Sequence, residues 1–197
     1  MKRLYASLLS ISLLLASCTS PQPQPNPPKA TVTPEADPMQ TSWGDRSIFK
    51  NGLVASEQHV LNELSGASVY HIEFTIADNL YEITGTEEVQ YTNTEDVELN
   101  EVEFRLFPNI LGGEMQTSNL TVNGQSITPE FSLENSLMIV RLSAPLEVGQ
   151  SIIIKMNYEV SVPQTVDLNY GVLAYADDVL ALAHAYPMIA VYDDEGW

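Results

Sequence analysis

From Val69 onward the chain alternates apolar and polar positions with a period of two. Tyr70, Ile72, Phe74 and Ile76 are separated by His71, Glu73 and Thr75, and Asp78-Asn79 then marks a turn. Tyr81, Ile83, Val89 and Tyr91 continue the alternation, with Gly85 expected as a bulge or bend. Val102, Phe104 and Leu106 follow, closed by Pro108. Leu120 and Val122 run into Asn123-Gly124, a strong hairpin signal. Leu137 to Leu142 is a further strand, Pro145 to Gln150 a turn, and Ile152, Ile154, Met156, Tyr158 and Val160 alternate cleanly. About six or seven short strands with regular turn signals predict an all-β fold, an antiparallel β-sandwich. Residues 161–197 are less regular, and Val179 to Ala185 reads equally as strand or short helix.

Upstream the pattern changes. Leu53, Val54, Val60, Leu61 and Leu64 recur at roughly helical spacing, which predicts a helical lead-in over residues 43–66 with Gly66 as its stop. Before it, seven of the twelve prolines lie between positions 21 and 38. Proline fixes φ and removes a donor, so residues 18–42 read as a semi-rigid tether. Residues 67–197 are then the folded domain, expected to be incomplete at its C-terminal edge.

The first residues carry export chemistry. Lys2 and Arg3 form a positive start, and Leu4 to Ala16 is mostly apolar but too short to span a bilayer. Residues 1–17 therefore read as a signal peptide. Leu15-Ala16-Ser17-Cys18 resembles the bacterial lipobox, whose cysteine is diacylated. Cys18 is the only cysteine in the chain, so no intrachain disulfide can form and lipid attachment accounts for the lone thiol. The expected location is extracytoplasmic, as a membrane-anchored bacterial lipoprotein held through lipid on Cys18.

Charge narrows the partners. The net charge is −18, and after Lys50 the only basic residues are Arg105, Arg141 and Lys155. No basic footprint for nucleic acid is present. Asp177-Asp178 and Asp193-Asp194-Glu195 lack the alternating spacing of a calcium loop and read as solvated turns.

Several local patterns resemble the N-terminal β-domain of the aminopeptidase N family of zinc metallopeptidases, in its gluzincin-like bacterial branch. They are Tyr70-His71-Ile72-Glu73, Gly85 with Val89-Gln90-Tyr91-Thr92-Asn93, and Phe104-Arg105-Leu106-Phe107-Pro108-Asn109. Pro145-Leu146 with Gly149, Ile152 to Tyr158, Tyr170-Gly171, and Tyr186-Pro187 through Gly196-Trp197 complete the series. Their order and spacing across residues 68–197 carry the resemblance. For Phe107-Pro108-Asn109 the preferred reading is structural: proline ends the strand and Asn109 caps the exit.

The resemblance implies a zinc exopeptidase whose H-E-x-x-H helix and amine-binding G-x-M-E-N strand belong to a separate catalytic domain. This chain holds neither motif, and His59, His71 and His184 stand apart in sequence. No catalytic, cofactor or metal residue is therefore assigned, and zinc is expected only in the missing catalytic domain. The chain alone is expected to be inactive. His71 is expected on a strand's polar face, His59 on the polar side of the lead-in, and His184 near Tyr186. His184 and Asp193 are the candidates for a substrate-facing wall. Gly196-Trp197 is expected to be a tight turn with an anchoring indole whose partners lie outside the chain, with exposed apolar surface around residues 179–197. The expected partners are the membrane, the chain's own catalytic domain and, for the full-length protein, peptide substrates. The reading from another class is a stand-alone β-sandwich surface lipoprotein for binding or envelope scaffolding.

Overall fold

The computed structural model describes residues 38–197. The expected signal peptide, Cys18 and most of the expected tether over residues 18–42 lie outside the described residues. Among the described residues the strands, in order, are β1 Val69–Ile76, β2 Glu82–Thr92, β3 Leu99–Arg105, β4 Glu114–Val122, β5 Gln125–Ser126, β6 Glu130–Ser132, β7 Leu137–Leu146, β8 Ser151–Ser161, β9 Leu173–Ala176, β10 Val179–Leu182 and β11 Met188–Ile189. They build a five-stranded sheet, β1-β2-β8-β4-β5, and a four-stranded sheet, β11-β3-β7-β6, with β9 and β10 as a separate ribbon. All these pairings are antiparallel.

Alternation puts one side of each sheet into a shared core. On β8, Ile152, Ile154, Met156, Tyr158 and Val160 are buried while the residues between them are more exposed. Val102, Phe104, Met138 and Val140 face them from β3 and β7 and are fully buried. Each such side chain contributes about 1.5–3 kcal/mol through burial. Two bulges keep the pattern in phase. Leu99 and Val102 are three residues apart yet both buried, because the β3–β7 register shifts between Leu99 and Glu101. Met115 and Leu120 are five apart and both buried, because β4 gains a residue against β8 between Ser118 and Thr121. Asn119 absorbs that insertion at φ 55°.

Buried asparagines close the corners. Asn93 is fully buried; its amide nitrogen donates to the carbonyls of Val97 (2.8 Å) and Leu146 (2.9 Å), and its carbonyl oxygen accepts from Glu95 N–H (3.0 Å). It joins the exit of β2 to the end of β7. Asn109 donates to the carbonyls of Met115 and Asn135 and accepts from Met115 N–H. The Phe107–Ile110 turn is thereby tied to β4, a structural role for the Phe-Pro-Asn motif. Asn123 and Gly124, at φ 48° and 80°, form the two-residue hairpin between β4 and β5.

Three local expectations are corrected. The lead-in is helical, but not as one helix running to Gly66: it forms two 3-10 segments, Ser47–Gly52 and Ala55–Asn62, neither with a buried residue. Neither has a side-chain cap, and Val54 is 68% exposed. Single contacts attach the segment instead. Trp43 stacks on His71 at 4.0 Å between ring centroids, and Arg46 donates to the Leu64 and Ala67 carbonyls. Second, Gly85 is not a bulge: it pairs in regular register with Phe74 and Tyr158. Third, Pro145 and Leu146 do not open a turn but end β7, with Leu146 paired to Leu99; the stretch after Val179, open between strand and helix in the sequence, is a strand as far as Leu182.

Candidate functional site: a buried carboxyl beside tyrosines

On β2 the inward positions are Ile83, Gly85, Glu87, Val89 and Tyr91. Four suit an apolar core, and the fifth is a carboxylic acid. Glu87 is 0% exposed, and neither carboxyl oxygen has a hydrogen-bond partner. It lies opposite Ile72 on β1 and Met156 on β8. Burial alone pushes its carboxyl up to about 9, so the acid is neutral at physiological pH.

Tyrosines surround this end of the core. Tyr158 folds over Gly85, whose missing side chain makes room for the ring. Tyr70 accepts a hydrogen bond from Ile189 N–H through its hydroxyl (3.1 Å) and meets Tyr186 edge to face at 5.8 Å. Burial pushes the Tyr70 and Tyr158 phenols up to about 12, and each feels the charge of Glu87. Beside them a cavity of about 230 Å³ opens, walled by Ile72, Phe74, Ile83, Leu182, Tyr158 and Tyr186. The cavity is apolar, and it shares Ile72 and Tyr158 with the surroundings of an acid that is neutral at physiological pH.

Sequence reading passed over Glu87. The signal was present, since the residue falls in phase with Ile83, Val89 and Tyr91, where period two demands an inward side chain.

The residues singled out from sequence lie elsewhere. His184 is exposed and packs on Phe107 (4.7 Å between ring centroids), with Nδ1 3.3 Å from Met188 Sδ. Phe107 and Met188 are its ring and sulfur partners, and the backbone at His184 is left-handed at φ 60°. Asp193 is exposed and occupied by its own turn: it exchanges backbone hydrogen bonds with Gly196, and its carboxylate accepts from Glu195 N–H at 2.9 Å. The structure thus gives His184 and Asp193 different neighbours. Trp197 does anchor a tight turn, but its partners are internal. Its ring lies 6.1 Å from Tyr91 and 5.3 Å from Tyr192. His59 and His71 also have separate surroundings, the first against Ser56 and Glu63, the second under Trp43. Among the described residues no group of three or more histidine, cysteine or acidic side chains could hold a metal ion. No helix among them is long and apolar enough to cross a membrane.

No family model matches the chain, and no curated protein matches it. Solved structures do. The likeness is to M1 zinc metallopeptidases. The enzyme from Deinococcus radiodurans aligns at 17% identity and a TM-score of 0.40, over 48% of this chain and 20% of that one. A mutant of it aligns at 16% and 0.40, over 49% and 20%. A two-domain M1 zinc metallopeptidase mutant bound to L-tryptophan aligns at 16% and 0.40, over 50% and 21%. The chain therefore spans about a fifth of the length of the solved structures it matches. Likeness of this degree carries no argument about activity, and the sandwich rests on its own strand pairing.

Proposed function

We propose that this chain is the non-catalytic β-domain of a membrane-anchored, aminopeptidase-like zinc metallopeptidase, bracing a catalytic domain and forming one wall of its cleft. The observation that carries the reading is the order and spacing of the motifs from Tyr70 to Trp197. The lipobox-like Leu15-Ala16-Ser17-Cys18 supports export and lipid anchoring of the same protein.

The surface near the terminal motif supports a docking role. Tyr186, Ile189, Tyr192 and Trp197 pack against the core, while Val191 between them is 79% exposed. Leu168, Tyr170 and Val179 are also largely exposed, Tyr170 at 98%. Anchored aromatics alternating with exposed apolar groups suit a surface that another domain covers.

The test is direct. The gene product taken from its own start to its own stop codon is expected to contain H-E-x-x-H, bind zinc and hydrolyse aminoacyl-nitroanilides. The 197-residue chain alone, which has no such motif, is expected neither to bind zinc stoichiometrically nor to hydrolyse these substrates. A full gene product without zinc ligands would sink the enzyme reading and favour a binding lipoprotein. Blocking signal peptidase II should leave an unprocessed precursor, and normal processing under the block would remove the lipid anchor from the proposal.

A further inference from the structure

Glu87 has no structural partner to account for it. An uncompensated buried carboxyl opposes folding, whereas an apolar side chain there would favour it. Gly85 clears the space that Tyr158 fills. The adjacent cavity and Glu87 share neighbours. Ile72 lines the cavity and is the direct cross-strand partner of Glu87, Tyr158 lines it and feels the Glu87 charge, and Tyr186 lines it and packs on Tyr70.

We propose that this end of the sandwich binds a small apolar primary amine, its body in the cavity and its ammonium against the Glu87 carboxylate. This inference stands independently of the metallopeptidase reading. Apolar walls select the body, and a volume of about 230 Å³ suits one ring or a branched alkyl group. Tyrosine faces attract an ammonium through the ring quadrupole. The acid repels anions once ionised, and an alcohol offers one donor and no charge where an ammonium offers three donors and a positive charge. Access requires one ring to move. Tyr158 is held in β8 between β2 and β4, so Tyr186, in the irregular segment between β10 and β11, is the gate.

Proton balance gives the proposal its signature. Free Glu87 is a neutral acid; with the ammonium bound it is a carboxylate, and its proton passes to solvent. The titratable groups that feel its charge are Tyr70 from β1 and Tyr158 from β8, and Tyr186 from the irregular segment packs on Tyr70. Burial keeps Tyr70 and Tyr158 protonated until about pH 12, so neither supplies that proton below pH 9. Affinity then rises about tenfold per pH unit between pH 6 and 8.5.

Calorimetry on the full chain with phenethylamine, in two buffers of different ionisation enthalpy, tests this. The expected result is release of about one proton per amine bound. 2-Phenylethanol and phenylacetate are expected to bind at least about tenfold more weakly, a difference of roughly 1.4 kcal/mol. Glu87→Gln should remove the proton release and weaken the amine by a similar factor. Leu182→Trp, which narrows the cavity, should weaken binding while leaving one proton released. If Glu87→Gln fails to fold, the buffer comparison and Leu182→Trp still decide. Absence of binding, equal binding of the alcohol, or proton release that persists in Glu87→Gln would each overturn the proposal.

Discussion

Gly85 and Tyr158 lie directly opposite one another across the β2–β8 ladder, and the ring of one occupies the space a side chain on the other would need. A Cβ on Gly85 would stand 2.3 Å from Tyr158 Cζ and 2.5 Å from its hydroxyl oxygen. Gly85→Ala therefore cannot profit from the better strand propensity of alanine. The ring must leave its place between two ladders, an overpacking cost of about 1–3 kcal/mol. Urea denaturation should show a lowered midpoint with an unchanged slope. A midpoint at or above that of the parent would contradict the close packing.

Glu87 makes stability fall as pH rises. Its carboxyl titrates near 4.5 when unperturbed and at about 9 in the fold. Below pH 4.5 it is neutral in both states and costs nothing extra. Between those values the unfolded chain releases the proton and the folded chain keeps it, so stability declines by about 1.4 kcal/mol per pH unit and levels off above 9. Glu87→Met should remove this slope and stabilise the protein by about 1–4 kcal/mol at pH 7. Urea midpoints of parent and variant from pH 5 to 9 provide the check, with the two curves diverging as pH increases.

Asn93 donates to two carbonyls and accepts from one amide at the corner between β2 and β7. Asn93→Ala leaves the Leu146 and Val97 carbonyls without that donor and should cost about 2–4 kcal/mol. Asn93→Asp keeps the acceptor but sets a negative charge against the same two carbonyls. It should destabilise at neutral pH and recover partly in acid, when the carboxyl regains a proton to donate. Thermal unfolding at pH 7 and pH 4 distinguishes the two variants.

Trp197 packs on Tyr91 and Tyr192 and pins the terminal motif to the sandwich. Trp197→Ala should cost about 1–2 kcal/mol from lost aromatic contact and burial. Hydrogen exchange should accelerate over residues 186–197 while β2 and β8 keep their protection. Equal exchange in parent and variant would mean that the indole does not hold the segment.

Local pattern carried much of the fold. β8 is long, alternates cleanly and ends at turn residues, so period two exposes it; β2 does so except at Gly85 and Glu87, and β7 runs on through Pro145 and Leu146, where the sequence marks a turn. The Asn123-Gly124 hairpin is equally legible, because few dipeptides adopt two left-handed conformations in succession. The short strands β5, β6 and β11 are not, since two or three residues carry no period. The lead-in is helical only in short 3-10 pieces, because Leu53, Val60 and Leu61 are no more than partly buried while Val54 and Leu64 are exposed. Leu99 and Val102, like Met115 and Leu120, read out of phase until pairing with the neighbouring strand reveals the bulge.

The sequence by itself determined that the chain is a β-sandwich with acidic outer faces, a lipobox-like start and no H-E-x-x-H motif, because these depend on residue type and spacing along one strand or segment. Tertiary structure alone decided where Tyr158 lies, what Trp197 touches and which residues share a site. His184 and Asp193 drew attention as titratable groups near a diagnostic motif, yet each is occupied by local contacts. Glu87 looked like one more acidic residue in an acidic chain. Only the closing of the second sheet over β2 takes that carboxyl out of water, and removal from water is what turns an ordinary glutamate into a neutral, unpartnered acid.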